Sequence, residues 1–515
     1  MESKNTYYLT TAIDYVNSKP HIGTAYEKIT ADSLARFYRI TGKEVLFLMG
    51  ADEHSLNVQR QAQKLGIDTI KYCDDMAKEF ADTWEKLSIS YDDFIRTTEK
   101  RHIDTVKDFF NKMYEKGDIY KGVYEGPYCE SCEAFIKEAD LDDGKCSVHG
   151  IDAAWIKEDN YFFKLSSYSD RLLEHIEKNK DFIQPEIRRN EIINVIKGGL
   201  EDISVSRSSV SWGISLPQDE TQVVYVWFDA LINYVSGAGY TDNRERFEKF
   251  WPANLHVIGK DITRFHCIIW PTMLMSVGIP LPSTVFGHGF VSIEGEKMSK
   301  TKGTVVYPQN VAEKYGEDAL RYFLLREIPF DKDGDFSIEK LENRFNSDLA
   351  NDLGNLLSRV VTLAEKKLDG KVYRSKEIKE KDEDIALRKS SEDTLKKMIS
   401  SMETYHIENA VKAVWSFIQN CNRYVEITAP WTLLKDPDKF ERFKEVIYNL
   451  VESLHFIGKM IYPFIPGTSK KMLEQIGIKI NSPQDINLKE LSWGKEYKEF
   501  LVTKKEPLFP RLEKK

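Results

Sequence analysis

The feature that most constrains this chain is a pair of uncharged stretches, YYLTTAI (Tyr7–Ile13) and VLFLMG (Val45–Gly50), with one helical pattern between them. Runs of this length and composition read as strands buried on both faces, as in parallel sheets. Between them Ala25, Ile29, Leu34, Phe37 and Tyr38 follow a helical stripe, and Gly42 stands where a helix C-terminus favours glycine. Strand, crossover helix and parallel strand form a unit with a right-handed connection. VVYVWF (Val223–Phe228), LHVIG (Leu255–Gly259) and TVFGHGFV (Thr284–Val291) read as further strands, so the chain is expected to open as a parallel α/β sheet.

At 515 residues the chain exceeds what one core organises, so several domains are expected. Beyond about Asp335 the pattern turns helical. Leu349, Leu353, Leu356, Val360 and Leu363 form one stripe; Ile407, Val411, Val414, Ile418, Cys421 and Val425 form another; Phe443, Val446, Ile447, Leu450, Leu454, Ile457 and Ile461 form a third. The C-terminal third is therefore expected as a helix bundle. Hydrophobic residues at 41% and charged residues at 30% are ordinary for a globular protein. No run approaches the eighteen or so apolar residues of a membrane span, and MESKNTYYLT lacks signal-peptide features, so no membrane and a cytoplasmic location are expected. A net charge of −9 excludes wholesale electrostatic coating of nucleic acid while allowing a local basic surface.

Ligands of open parallel sheets bind beyond the carboxyl ends of the strands. There, DYVNSKPHIG brings His21 and Gly23 to a helix start, where N–H groups and the helix dipole favour phosphate. Alone, this loop reads equally well as a histidine cap beside a tight turn. EGEKMSKTKG (Glu294–Gly303) sets Lys297, Lys300 and Lys302 in a glycine-bounded loop, suited to neutralising a triphosphate. Its bland alternative is a solvated lysine loop. The absence of GxxxxGK[ST] and of a complete GxGxxG disfavours P-loop kinases and dinucleotide enzymes. Asp52, directly after a buried strand, needs a cationic partner if buried. Cys129, Cys132, Cys146 and His149 form a CxxC and a CxxH, two knuckles that converge on a tetrahedral, structural zinc. DKDGDFSIEKLE (Asp331–Glu342) imitates a calcium loop but has Phe336 where the sixth-position glycine is required, and is expected as a stem-contact loop instead.

HIGT (His21–Thr24) and KMSKT (Lys297–Thr301) together resemble the HIGH and KMSKS signatures of class I aminoacyl-tRNA synthetases. AIDYVNSKPHIG, GADEH, VWFDALINY, IGKDITRFHCIIWP, KMSKT and APWTLL follow in the order of the methionyl-tRNA synthetase family, across nearly the whole chain. The resemblance implies an α/β Rossmann-like parallel-sheet catalytic domain with a zinc-bearing insertion, followed by an all-α helix-bundle anticodon-binding domain. It divides the chain into a first catalytic half at 1–117, the insertion at 118–222, a second catalytic half at 223–290, the lysine loop and stem-contact region at 291–345, and the bundle at 346–515.

The implied activity is a ligase that converts methionine and ATP to methionyl-adenylate, releases pyrophosphate and transfers the methionyl group to tRNA(Met). Mg2+ would accompany ATP, and zinc would be structural. By this resemblance His21, Gly23, Thr24, Lys297 and Lys300 bind ATP, with His21, Lys297 and Lys300 catalytic. Ile13, Tyr15, Trp227, Tyr234, Ile262, Phe265, His266 and Trp270 surround methionine, and Asp52 takes its α-ammonium. A polarisable thioether suits aromatic walls. Asn355, Arg359 and Trp431 read the anticodon. The departures are Thr24 in place of the signature's second histidine, Thr301 in place of serine, and Ser55 where glycine usually follows DEH. A threonine hydroxyl can hydrogen-bond phosphate but carries no charge, which shifts weight to His21. With Lys515 soon after the bundle, a monomer is expected.

Overall fold

The computed structural model describes residues 5–131, 133–136, 138, 141–147, 150–296, 298, 304–374 and 380–513. Its main sheet runs Ile183–Gln184, Val285–His288, Leu255–Gly259, Thr6–Thr11, Glu44–Asp52, with Asp14–Tyr15 and Asp93–Arg96 both pairing the last of these. Every one of these pairings is parallel. Thr6–Thr11 is central. The chain leaves it for Glu44–Asp52 on one side and returns on the other as Leu255–Gly259, so strand order reverses at its end and a crevice opens there. Alternation along this strand sends Tyr7 and Leu9 into one core and Tyr8 into the other.

The first helix, Ile22–Ile40, is buried over most of its length, charged residues included. Asp32 accepts from Arg36 at 2.8 Å and from Arg321 at 2.6 Å, and these guanidinium charges hold its carboxyl down at about 2 against the opposing effect of burial. Arg321 also donates to the carbonyls of Phe464 and Pro463. This buried pair therefore joins the sheet's helical layer to the bundle.

Two expected strands change character. VVYVWF ends as a strand at Val224, in an antiparallel sheet with Ser206–Arg207 and Ser215–Leu216, and Val226–Leu231 is helical. A short apolar run does not distinguish the two states. TVFGHGFV contributes Val285–His288 to the main sheet, after which Val291–Ile293 leaves to pair with Gly334–Phe336.

The stretch between the sheet halves is built on a long antiparallel pair, Ile119–Cys129 with Ala154–Phe163. The C-terminal bundle comprises Asp382–Glu403, Ile407–Thr428 and Phe440–Ile461, flanked by Asn355–Leu368 and Pro466–Gln475. Val411, Val414, Ile418, Cys421 and Val425 all face inward, as their spacing requires. No helix among the described residues is long and apolar enough to cross a membrane.

Candidate active site

His21 is the N-cap of the first helix. Its Nδ1 accepts from the backbone N–H groups of Gly23 and Thr24 at 3.2 and 3.3 Å. The next free donor, the N–H of Ile22, goes to the carbonyl of Val306 at 2.9 Å. The helix start thus offers phosphate no unused N–H among its first three residues, contrary to the expectation from helix polarity alone. At Gly23 the backbone is closely approached where any side chain would crowd its neighbours. A Cβ there would lie 3.0 Å from Met298 Cε and 3.2 Å from the His21 ring.

Met298 belongs to the lysine loop and Val306 follows it, so the two distant signatures meet. Lys297, Lys300 and Thr301 lie outside the described residues. The root of the loop is pinned by the calcium-like segment: Asp335 accepts from the Gly295 N–H at 2.7 Å and from Ser292 at 2.9 Å, and Asp333 takes Lys260 and the Phe290 N–H.

Asp52 ends its strand at 2% exposure, and its Oδ1 has no hydrogen-bond partner among the described residues. Burial pushes its carboxyl well above the usual range, and the charges of Asp229, Glu133 and Glu53 push the same way. Tyr15, paired with Asp52 across neighbouring strands, also has a buried hydroxyl without a hydrogen-bond partner among the described residues. Two adjacent polar atoms left unsatisfied in a core are costly and mark a place for a polar ligand.

Around them stands the aromatic wall. Trp227 and Phe265 stack with centroids 3.9 Å apart, and Tyr15 meets Trp227 edge-on at 5.9 Å. Gly50 lets Ile13 approach, since a Cβ on it would lie 2.7 Å from Ile13 Cγ2. A π-helical stretch, Phe265–Ile269, carries Phe265 and His266. His266 Nδ1 lies 3.0 Å from the Ile262 carbonyl, which only accepts, so Nδ1 holds the proton and Nε2 accepts from the Tyr234 hydroxyl at 2.7 Å. Burial agrees with this neutral ring, lowering its pKa to about 4. Trp270 has no exposed surface; it stands behind Tyr234 and donates to His256 at 3.3 Å.

Several residues at the site were not anticipated from the sequence. His54 Nδ1 and His102 Nε2 both bind the buried Asp229, at 2.7 and 2.6 Å. This ties the end of the Asp52 strand to the helix bearing Trp227. Glu133 takes the Ser55 hydroxyl and the N–H groups of Leu56 and Asn57, capping the helix Leu56–Leu65 from outside. Its carbonyl accepts from Tyr225 at 2.8 Å. Lys28 is fully buried among the Ala12 carbonyl, Glu27 and Asp14. His54, Ser55 and Asp229 lie inside the stretches GADEH, the residue after it, and VWFDALINY, but their partners are remote in sequence.

Of the expected metal ligands, Cys129 closes a strand and Cys146 a short hairpin, both buried, while Cys132 and His149 lie outside the described residues. Among the described residues no group of three or more potential ligands gathers. In the bundle, Asn355 is exposed at the start of its helix, and Arg359, one turn on, holds its guanidinium carbon 5.5 Å from the Trp431 ring centroid. Trp431 is 45% exposed.

A parallel sheet with its crevice at the switch point, and two signature loops closing on it, define a class I aminoacyl-tRNA synthetase. The family model for class I tRNA synthetases of the M type matches residues 7–140 and 132–361, and that for the anticodon-binding domain of tRNA ligases matches 384–508. The methionine–tRNA ligase of Caldanaerobacter subterraneus subsp. tengcongensis is 50% identical over 99% of this chain and 79% of that protein; that of Bacillus subtilis is 44% identical over 99% and 79%. Mycobacterium tuberculosis methionyl-tRNA synthetase in complex with methionyl-adenylate superposes with a TM-score of 0.94 at 40% identity, over 98% of this chain and all of that one. The chain belongs to the methionyl-tRNA synthetase family.

Proposed function

We propose that the crevice beyond Thr11 performs the family's reaction with the residues assembled there. The chain activates methionine with ATP to methionyl-adenylate, releasing pyrophosphate, and transfers the methionyl group to tRNA(Met). The observation that carries the assignment of the amino-acid site is Asp52: a buried carboxylate with one oxygen unpartnered among the described residues, beside an aromatic wall. An α-ammonium supplies the missing cation, and the ion pair forms where a lone carboxylate is costly. Ile13, Tyr15, Trp227, Ile262 and Phe265 take the thioether side chain, with Tyr234, His266 and Trp270 fixing the wall from behind.

His21 donates from Nε2 to phosphate oxygen, and Gly23 admits the nucleotide. Lys297 and Lys300 neutralise the charge that builds on the departing pyrophosphate. Mg2+ accompanying ATP supplies further charge neutralisation. Cys129, Cys132, Cys146 and His149 fit a structural zinc, since a four-ligand sulfur and nitrogen set leaves no open position. Such a site would hold the turn that presents Glu133 to the Asp52 loop. Asn355, Arg359 and Trp431 form the anticodon surface, where unpaired bases stack and their edges are read. The partition into 1–117, 118–222, 223–290, 291–345 and 346–515, and a monomeric state, belong to this reading.

Methionine-dependent ATP–pyrophosphate exchange tests it. Exchange is expected with methionine and not with leucine or cysteine, and folded protein that fails to exchange refutes it. Lys300→Ala is expected to lower the exchange rate constant far more than methionine affinity.

A further inference from the structure

We propose that Thr24, which stands where the class signature has its second histidine, is a positioning residue whose hydroxyl fixes the orientation of the His21 ring. This deepens the reading of His21 as the ring that meets phosphate, and rests on it.

The hydrogen bonds leave few alternatives. The His21 backbone N–H donates to Thr24 Oγ1 at 3.3 Å, so that oxygen is an acceptor there. The one hydroxyl proton of Thr24 remains for His21 Nδ1, 3.2 Å away. The backbone N–H groups of Gly23 and Thr24 point at the same nitrogen. Three donors converging on one ring nitrogen require a lone pair there, so the proton sits on Nε2, on the opposite edge of the ring. The arrangement is a reciprocal capping box with histidine, rather than serine or threonine, as the cap.

Its consequence is directional. Thr24 commits its only proton to His21 and has none to donate to phosphate, so its part in nucleotide binding passes through the imidazole. A Cβ on Gly23 would lie 3.2 Å from Cε1 and Nδ1 of the His21 ring, so glycine at 23 leaves the ring room on that edge. Where a second histidine would bring its own ring to the nucleotide, this chain has a device that aims the first one.

The test combines exchange kinetics with imidazole nitrogen NMR on the full chain, comparing wild type, Thr24→Val, Thr24→Ser and His21→Asn. The His21 signals are those lost in His21→Asn. In wild type, Thr24→Ser and Thr24→Val alike they should report the Nε2–H tautomer, because the backbone N–H groups of residues 23 and 24 hold the lone pair on Nδ1. Thr24→Val should lower the exchange kcat about five- to tenfold, the effect of one hydrogen bond, with KM for ATP and methionine unchanged. Thr24→Ser should restore the rate. A wild-type rate in Thr24→Val overturns the proposal, as does a raised KM for ATP at unchanged kcat, which would make Thr24 a direct ligand. A rate that Thr24→Ser does not restore also overturns it. Should His21→Asn keep full exchange, the role of His21 itself fails, a result distinct from failure at Thr24 alone.

Discussion

At the carboxyl end of the sheet, Asp52 is 2% exposed with one oxygen unpartnered among the described residues, whereas on the bundle Trp431 is 45% exposed and leans toward the guanidinium of Arg359. The contrast follows from the size of what each is proposed to hold. An amino acid can be enveloped, so its site keeps unsatisfied polar atoms in the core, at the expense of stability and with displaced pKa values. A folded RNA cannot be enveloped, so its site keeps aromatic surface in water and leaves nearby ionisable groups solvated.

Asp52→Asn should give the largest effect and separate the two regions most sharply. Exchange kcat/KM for methionine should fall about 100- to 1000-fold, the scale of a lost buried ion pair. The melting temperature should rise, because a buried unpaired carboxylate disappears. A lower melting temperature would mean that Asp52 already has a structural partner.

His266 sharpens the buried side through pH. Its folded-state pKa of about 4 lies below the ordinary 6.5, so the unfolded chain takes up a proton that the native state refuses. The associated stability is fully present above pH 6.5 and is lost as pH falls toward 4, by roughly 3 kcal/mol. Urea unfolding at a series of pH values should show this slope, and His266→Gln should flatten it, leaving the share of His256, whose pKa burial also lowers.

Trp431→Ala tests the exposed side. Charging of tRNA should fall about 10- to 100-fold, the worth of a stacked base, while exchange stays at the wild-type rate. Loss of exchange would show that the bundle is coupled to the crevice. Arg359→Lys should give the smallest change, about two- to fivefold in charging, because the cation remains and only the planar contact with the tryptophan goes.

The βαβ opening was legible because its strands and helix differ in period, and the bundle because its stripes run for several turns. Val226–Phe228 was misread because the six apolar residues of VVYVWF carry no decisive period. Of the proposed site residues, His21, Gly23 and Asp52 stand out in short local stretches, while Tyr15, Trp227 and Phe265 followed from the family resemblance; the structure pairs Tyr15 with Asp52 and sets Trp227 between Tyr15 and Phe265. The clasp of Asp229 by His54 and His102 could not be seen, since its partners lie 175 and 127 residues apart. Glu133 was hidden for a related reason: beside two cysteines it reads as part of a metal knuckle, and only folding shows its carboxylate capping a helix elsewhere.

By itself the sequence determined the fold class, the order of the motifs and the chemical types available at the crevice, because hydrophobic periodicity and local turn chemistry act over a few residues. Tertiary structure alone decided that the Ile22 N–H at the first helix start is taken by Val306, which nitrogen of His266 carries the proton, and that Asp52 Oδ1 has no hydrogen-bond partner among the described residues. Those are matters of which donors and acceptors come within about 3 Å in a region closed to water, and chain spacing holds no record of that.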